Sequence, residues 1–291
     1  MRSDLKALIS LLDDPSDIVF SSVSKRLEDH GEAVIPILEK AWEDTLDEKL
    51  QERIENIIHH IQFESTYNSL KTWVNTDGED LLEGCYLIAK FQYPDLKYEP
   101  LLFEIETIKK DVWLELNNNL TALEKINIVN HIIFDVHKFT GNTKNFYSPQ
   151  NSYINQVFET KKGNPISLAV VYLATCQRLG LSVYGVNLPK NFILAYVDEW
   201  FTNDRDKPVL FYVNPFNRGI VLGKKEIDHF AKQQKLKPNA SFYEPCNHID
   251  IVKRLILNLI LSYENLGYMD KILTLQKILK LFPSSEDGIR Y

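Results

Sequence analysis

Hydrophobic residues in the first part of the chain recur at helical spacing. Leu5, Leu8 and Leu12 lie on one side of a first predicted helix, which the run Asp13-Asp14-Pro15 ends. Three further stripes repeat this spacing: Val19, Val23 and Leu27; Ile35, Leu38 and Trp42; and Leu50, Ile54, Ile57 and Ile61. We therefore predict a cap of short amphipathic helices over residues 1–78.

Helical patterns continue through the middle of the chain and return at its end. Helices are predicted from Glu79 to Gln92 and from Glu99 to Asn117, and Thr121 with Glu124 forms a capping box for a helix that reaches Lys138. Two more helices are predicted around Gly267 within Ile249–Phe282. No linker rich in glycine or serine interrupts these segments, so we expect one continuous body here.

The β signal is confined to a late stretch that follows the apolar helix Pro165–Leu179. Val183–Leu188, Phe192–Tyr196 and Phe211–Val213 carry β-branched and aromatic residues between Gly, Pro and Asn breaks. We predict that these strands pair antiparallel behind the helix, and that Trp200–Pro208 is a polar connection. The fold class is therefore predicted to be α+β and predominantly helical.

Composition narrows the functional classes. The 291 residues carry 33 basic and 40 acidic side chains, hence a net charge of −7, which argues against a general nucleic-acid binder. The three cysteines form no Cys-x-x-Cys pair, and the histidines lack metal-ligand spacing, so no disulfide framework, metal site or cofactor is predicted. The longest apolar run, Leu255–Leu261, is too short to span a membrane, and a cytoplasmic setting is expected.

Four motifs in the second half of the chain are informative as a set. They are the segments Asn145–Val157, Lys161–Leu168, Gly185–Phe192 and Asn214–Gly219. Their order and spacing resemble the SirB-type transglutaminase-like family, which also occurs as a module in some F-box proteins, over roughly residues 80–290. The resemblance implies a transglutaminase-like, papain-like core over residues 79–246 and a tetratricopeptide-like helical hairpin over 247–291. The paired N-terminal helices resemble HEAT repeats.

The same resemblance identifies three positions of a degenerate catalytic triad. Pro165 stands where cysteine-bearing relatives have the thiol, Asn191 where the family has histidine, and Asn214 where it has aspartate. A carboxamide accepts no proton from a nucleophile and holds no imidazolium by charge. We expect Asn191 and Asn214 to hydrogen-bond each other and nearby backbone instead.

The remaining candidate nucleophiles, one serine and three cysteines, are interpreted as structural residues. Ser167, in the first turn of the predicted helix, is the best surviving nucleophile, but no histidine accompanies it. Cys85 and Cys176 lie on apolar stripes and are predicted to be core residues. Cys246, followed by His248, is interpreted as a loop cysteine without function.

A group of polar residues before and within the helix start forms a candidate cleft: Asn151, Ser152, Lys162, Asn164 and Ser167. Two interpretations of the first two remain open. They line the entrance of a cleft, or they cap the helix that reaches Thr160.

The functional hypothesis is a catalytically inactive transglutaminase-like protein that binds a protein or peptide. Two alternatives stay open: an amidase, peptidase or acyl-transferase that uses Ser167 or a relocated nucleophile, and a structural module of a larger assembly. Neither nucleic acid nor membrane is an expected partner, and the partner and oligomeric state stay open. This sequence ends at Gly288–Tyr291, where SirB-type chains commonly continue into more helix, so a function of that tail is not expected here.

Overall fold

The structure is a computed structural model and describes residues 2–198, 208–237 and 239–283. It divides into two compact units, Met1–Lys71 and Thr72–Tyr291. The predicted connection Trp200–Pro208, apart from Pro208, and the tail Gly288–Tyr291 lie outside the described residues. The division of the sequence into a cap, a core and a C-terminal hairpin stays a prediction.

The first unit is built from three short helices and the greater part of a 28-residue helix, with one shared core. Its helices are α1 (Arg2–Ser10), α2 (Asp17–Glu28), α3 (Ile35–Asp44) and most of α4 (Glu48–Asn75). Each predicted stripe supplies buried side chains to this core, among them Leu12, Leu27, Leu38 and Ile54. The helical spacing of apolar residues is thus confirmed, because burying one side of each helix is what stabilises helices this short.

The second unit is organised around one buried helix, α9 (Pro165–Leu179). Asn164 caps its start, and Gly180 ends it in the left-handed conformation at φ 69°. Residues Ile166 through Cys176 are all buried, because neighbouring helices and the sheet surround them. The other helices are α5 (Leu81–Lys90), α6 (Tyr98–Glu115), α7 (Ala122–Asn130), α8 (Ile154–Thr160), α10 (Lys224–Gln233), α11 (His248–Leu266) and α12 (Met269–Leu279).

A small antiparallel sheet lies beside α9. Its strands are β3 (Val183–Val186), β4 (Ile193–Val197), β5 (Val209–Asn214) and β6 (Ile220–Leu222), in the order β3-β4-β5-β6. All five residues of β4 are buried, since α9 contacts the strand and Ile193 and Ala195 pack in a cluster with Ile227 of α10. A short parallel pair, β1 (Thr140–Gly141) with β2 (Lys162–Gly163), precedes α9.

The α+β, predominantly helical fold class is confirmed, and local differences concern single elements. The predicted helix to Lys138 is α-helical only to Asn130 and then winds as a π-helix over His131–Val136. Strand β6 was not predicted; it has three residues, and none of them is buried. Helix α10 was not predicted either, because only Ile227 and Ala231 of this polar helix are buried. None of the described helices combines the length and apolar character needed to cross a membrane.

Candidate functional site

The candidate site begins at the start of α9, where two side chains cap the helix reciprocally. Asn164 Oδ1 accepts a hydrogen bond from the Ser167 backbone N–H at 2.9 Å, and Ser167 Oγ accepts one from the Asn164 N–H at 3.0 Å. Pro165 takes the first helical position, where its missing N–H leaves no donor unsatisfied. The motif Gly-Asn-Pro-Ile-Ser thus specifies a helix start from local chemistry.

Two buried residues of the preceding segment hold this helix start in place. Asn164 Nδ2 donates to Ser152 Oγ at 2.8 Å. Asn151 donates through Nδ2 to the carbonyl oxygens of Asn145 (2.6 Å) and Phe146 (3.0 Å). Neither Asn151 nor Ser152 caps α8, whose N-cap is Tyr153, so the capping interpretation of these two residues is wrong. They connect the loop before α8 to the start of α9.

A cavity of about 640 Å³ opens beside the helix start, and we call it the first cavity. Asn164, Pro165 and Ile166 line one side of it, and Lys190, Asn191 and Phe192 line another. Asn191 accepts a hydrogen bond through Oδ1 from the Phe192 N–H at 2.9 Å, in a turn where Lys190 has a φ of 61°. Two of the three predicted triad positions, 165 and 191, therefore face one cavity.

The third predicted triad position, residue 214, is outside the lining of the first cavity. Asn214 is buried at the end of β5, and its Oδ1 accepts from the Asn217 N–H at 3.4 Å. It is not among the residues that line the first cavity. Asn191 and Asn214 each bond the backbone of their own turn, so the expected hydrogen bond between these two amides does not appear among their described contacts.

Four of the five cleft candidates also lie outside the cavity lining. Lys162 is exposed on β2, whereas Asn151 and Ser152 are buried beneath the loop. Ser167 is 1% exposed, and its hydroxyl donates to the Asn164 carbonyl oxygen at 3.3 Å. Of the five candidates, Asn164 alone lines the cavity.

The cysteines occupy environments that keep their thiols neutral. Cys85 and Cys176 are fully buried, and burial raises the pKa of both thiols. For Cys246, burial and then the nearby Asp250 charge raise the pKa to about 12. His248 Nδ1 lies 2.8 Å from the Gly78 carbonyl oxygen, so this ring is engaged with backbone.

The sequence reasoning missed the part of the cavity that α11 contributes. Arg254, Leu257 and Leu261 line the first cavity from this helix. Arg254 is 6% exposed and donates from Nη1 to Asn187 Oδ1. Arg254 in the mostly apolar stretch Ile251–Leu259, which also contains Lys253 and Asn258, was the available signal, because a buried cation needs partners and marks a polar environment.

Comparison with known proteins identifies the class. The family described as Transglutaminase-like superfamily matches residues 99–257, which include α9, the sheet and most of the first cavity. The chain therefore belongs to the transglutaminase-like superfamily. No solved structure matches the chain significantly.

Among its relatives are bacterial UPF0162 proteins. One from Xylella fastidiosa (strain 9a5c) is 31% identical over 241 residues, which cover 77% of this chain and 79% of the relative. One from Vibrio cholerae is 26% identical over 166 residues, covering 56% and 59%. The F-box only protein 21 of Homo sapiens is 25% identical over 228 residues, or 70% of this chain and 36% of that protein.

Replacing Asn164 with alanine is expected to lower the free energy of unfolding by about 2–3 kcal/mol. The substitution removes the cap on Ser167 and leaves the buried Ser152 hydroxyl without its donor. Thr121→Ala is the matched control, because Thr121 makes the same reciprocal cap with Glu124 at an exposed helix start. We expect about 1 kcal/mol there by chemical denaturation. Equal losses in both variants would contradict a contribution of the buried Asn164–Ser152 hydrogen bond to stability.

Proposed function

We propose that this chain is a catalytically silent, SirB-type member of the transglutaminase-like superfamily whose first cavity binds a protein or peptide. The proposal rests on which residues occupy the two predicted triad positions that face the cavity. Pro165 and Asn191 line it, and neither has a group that attacks a carbonyl or accepts a proton at neutral pH.

Pro165 supports the absence of catalysis for a second reason. In acyl-transfer sites built on a helix start, backbone N–H groups stabilise the oxyanion of the tetrahedral intermediate. Residue 165 is an imino acid, so the position of the nucleophile supplies neither a thiol nor a backbone donor. A proline at position 165 therefore removes both the group for covalent attack and a donor that would stabilise the oxyanion.

The environment of Ser167 argues against the enzyme alternative. Its hydroxyl is bonded to the Asn164 backbone, is 1% exposed and is not part of the cavity lining. Among the described residues that line the cavity there is no histidine or cysteine, and Glu264 is the one carboxylate. A serine nucleophile needs a base within hydrogen-bond reach and access to the substrate.

The binding role is supported by the shape and lining of the cavity. Ile166, Phe192, Leu257 and Leu261 supply apolar surface, while Asn164, Asn191 and Asn258 supply amides that can bond a peptide backbone. An apolar concavity with a few polar groups is what small recognition sites have in common. A purely structural module has no need to keep this concavity open.

Filling the first cavity tests the binding role. Leu261 lines the cavity and is 48% exposed, so Leu261→Trp is expected to fill it without unfolding the chain. In affinity capture from native lysate with mass spectrometry, we expect proteins captured by the wild type to be depleted about tenfold with this variant.

Leu114→Trp is the matched control, because Leu114 is 65% exposed on α6 and lines neither described cavity. It is expected to capture the wild-type set. Identical capture by Leu261→Trp would end the proposal that the first cavity is the binding site.

A further inference from the structure

A second cavity of about 670 Å³ adjoins the first, and the two share Phe146 and Tyr147 in their lining. Tyr93, Tyr153, Tyr263 and Tyr268 contribute aromatic surface to the second cavity. Helix α11 contributes residues to both. The two cavities therefore form one elongated depression, which we call the groove.

The segment between the two cavities is held by hydrogen bonds. The Asn151 side chain bonds the carbonyl oxygens of Asn145 and Phe146, and the Phe146 ring packs edge-on against Phe216 with ring centres 5.8 Å apart. Phe146 is nevertheless 39% exposed and Tyr147 60% exposed. Such exposed aromatic rings on an anchored backbone bind a ligand with little ordering cost.

The charges of the groove are opposite in sign to those of the whole chain. Lys144 and Lys271 line the second cavity, Lys190 and Arg254 line the first, and Glu264 is the one carboxylate among the described lining residues. The chain as a whole carries a net charge of −7. Within the described part of the chain, neither Lys144 nor Lys271 forms an ion pair, so both ammonium groups are available to an anion.

We infer that the groove binds an acidic peptide in an extended conformation, with an apolar side chain in the first cavity and carboxylates at Lys144 and Lys271. This inference rests on the proposed function and adds the chemistry of the ligand. A peptide fits better than a small anion, because the lining combines apolar surface, neutral amides and cations along one line. Gln92, Gln150 and Asn265 are amides placed to bond its backbone.

The probe for this inference is an array of immobilised peptides about eight residues long. Each peptide has Leu, Phe or Tyr at one position and two Glu residues nearby, and matched peptides carry Gln or Lys in place of Glu. Fluorescently labelled full chain is applied at low and high salt. We expect the Glu peptides to bind about tenfold more strongly than their Gln counterparts, with the difference reduced at high salt.

Charge reversal supplies the matched variants. Lys144→Glu combined with Lys271→Glu is expected to lower binding to Glu peptides about tenfold and to favour the Lys peptides. Lys110→Glu combined with Lys232→Glu changes the same net charge at exposed positions outside both cavities and is expected to bind as the wild type does.

The outcomes separate this inference from the proposed function. Equal binding of Glu and Gln peptides, loss of binding that is equal in both double variants, or no binding to any peptide would overturn the acidic-peptide inference. Capture that depends on Leu261 would still support the proposed cavity in each case. Dimerisation in sedimentation velocity that Lys144→Glu with Lys271→Glu abolishes would also overturn it, since the occupant would then be a second copy of the chain.

Discussion

Replacing Gly219 with alanine is expected to lower the free energy of unfolding by about 3–4 kcal/mol. Gly219 has a φ of 74°, which strains any other residue, and an added Cβ would lie 1.9 Å from Asn130 Oδ1. The Asn130 side chain cannot move freely, because it donates to the Gly219 carbonyl oxygen at 2.8 Å and accepts from the Tyr172 hydroxyl at 3.0 Å. Displacing it leaves the buried Tyr172 hydroxyl unsatisfied.

Gly180→Ala separates backbone strain from steric overlap. Gly180 has a similar φ of 69°, but an added Cβ there would have no atom within 4 Å. We expect a loss of about 1 kcal/mol for this control in chemical denaturation. In an Asn130→Ala background, the cost of Gly219→Ala should fall to about the same value. A cost at Gly219 that does not change in this background would contradict the proposed overlap.

This contact matters for the candidate site because it positions Asn214, the third predicted triad residue. The Gly219 N–H donates to the Asn214 carbonyl oxygen at 2.9 Å, so Asn214 and Gly219 close one turn. Asn130 joins that turn to Tyr172, which lies in the middle of α9. The position of residue 214 thus depends on a bridge from α7 that the four sequence motifs do not include.

Native-state alkylation of Cys246 by iodoacetamide at about pH 8 is expected to be about 10³-fold slower than that of an unperturbed thiol. The thiolate is the reactive form, and the Cys246 pKa of about 12 leaves it scarcely populated at this pH. Because the pKa is raised, the rate should increase about tenfold for each unit of pH up to that value. Cys85 and Cys176, which are fully buried, should react slower still.

The measurement is intact-mass spectrometry over time, with and without denaturant, and Cys246→Ser assigns the signal. Denatured chain should react at the ordinary rate at all three thiols. A serine-directed acyl probe, applied in parallel, is expected to leave Ser167 unlabelled because its hydroxyl is buried. Rapid native labelling of Cys246 or of Ser167 would contradict these expectations and would favour the enzyme alternative.

The start of α9 shows how far sequence reasoning extends. Its cap, its proline and its C-terminal glycine lie within a few residues of the groups they bond, so their roles follow from the order of residues. The turn before β4 is similar, since Asn191 bonds the next residue. The spacing of the family motifs assigned Pro165 and Asn191 to two positions of one predicted site, and both residues line one cavity.

Contacts between segments far apart in the chain could not be predicted from the sequence. Nothing in the sequence indicated that Asn130 bonds Gly219, which is 89 residues away. Arg254 in α11 indicated a polar environment, but not that this helix lines a cavity. Helix α10 was missed because its charged surface hides the two buried positions Ile227 and Ala231. The hydrogen bond expected between Asn191 and Asn214 is not among the described contacts of these residues, because each amide bonds the backbone of its own turn instead.

The amino-acid order alone determined the helical stripes, the caps of α9 and the absence of a nucleophile and base at positions 165 and 191. These properties depend on side-chain chemistry and on hydrogen bonds that span at most a few residues. Tertiary structure alone decided the groove, its cations and the location of Asn214, because each requires segments far apart in the chain to pack together. Such packing reflects the complementarity of whole surfaces, which no local window of sequence contains.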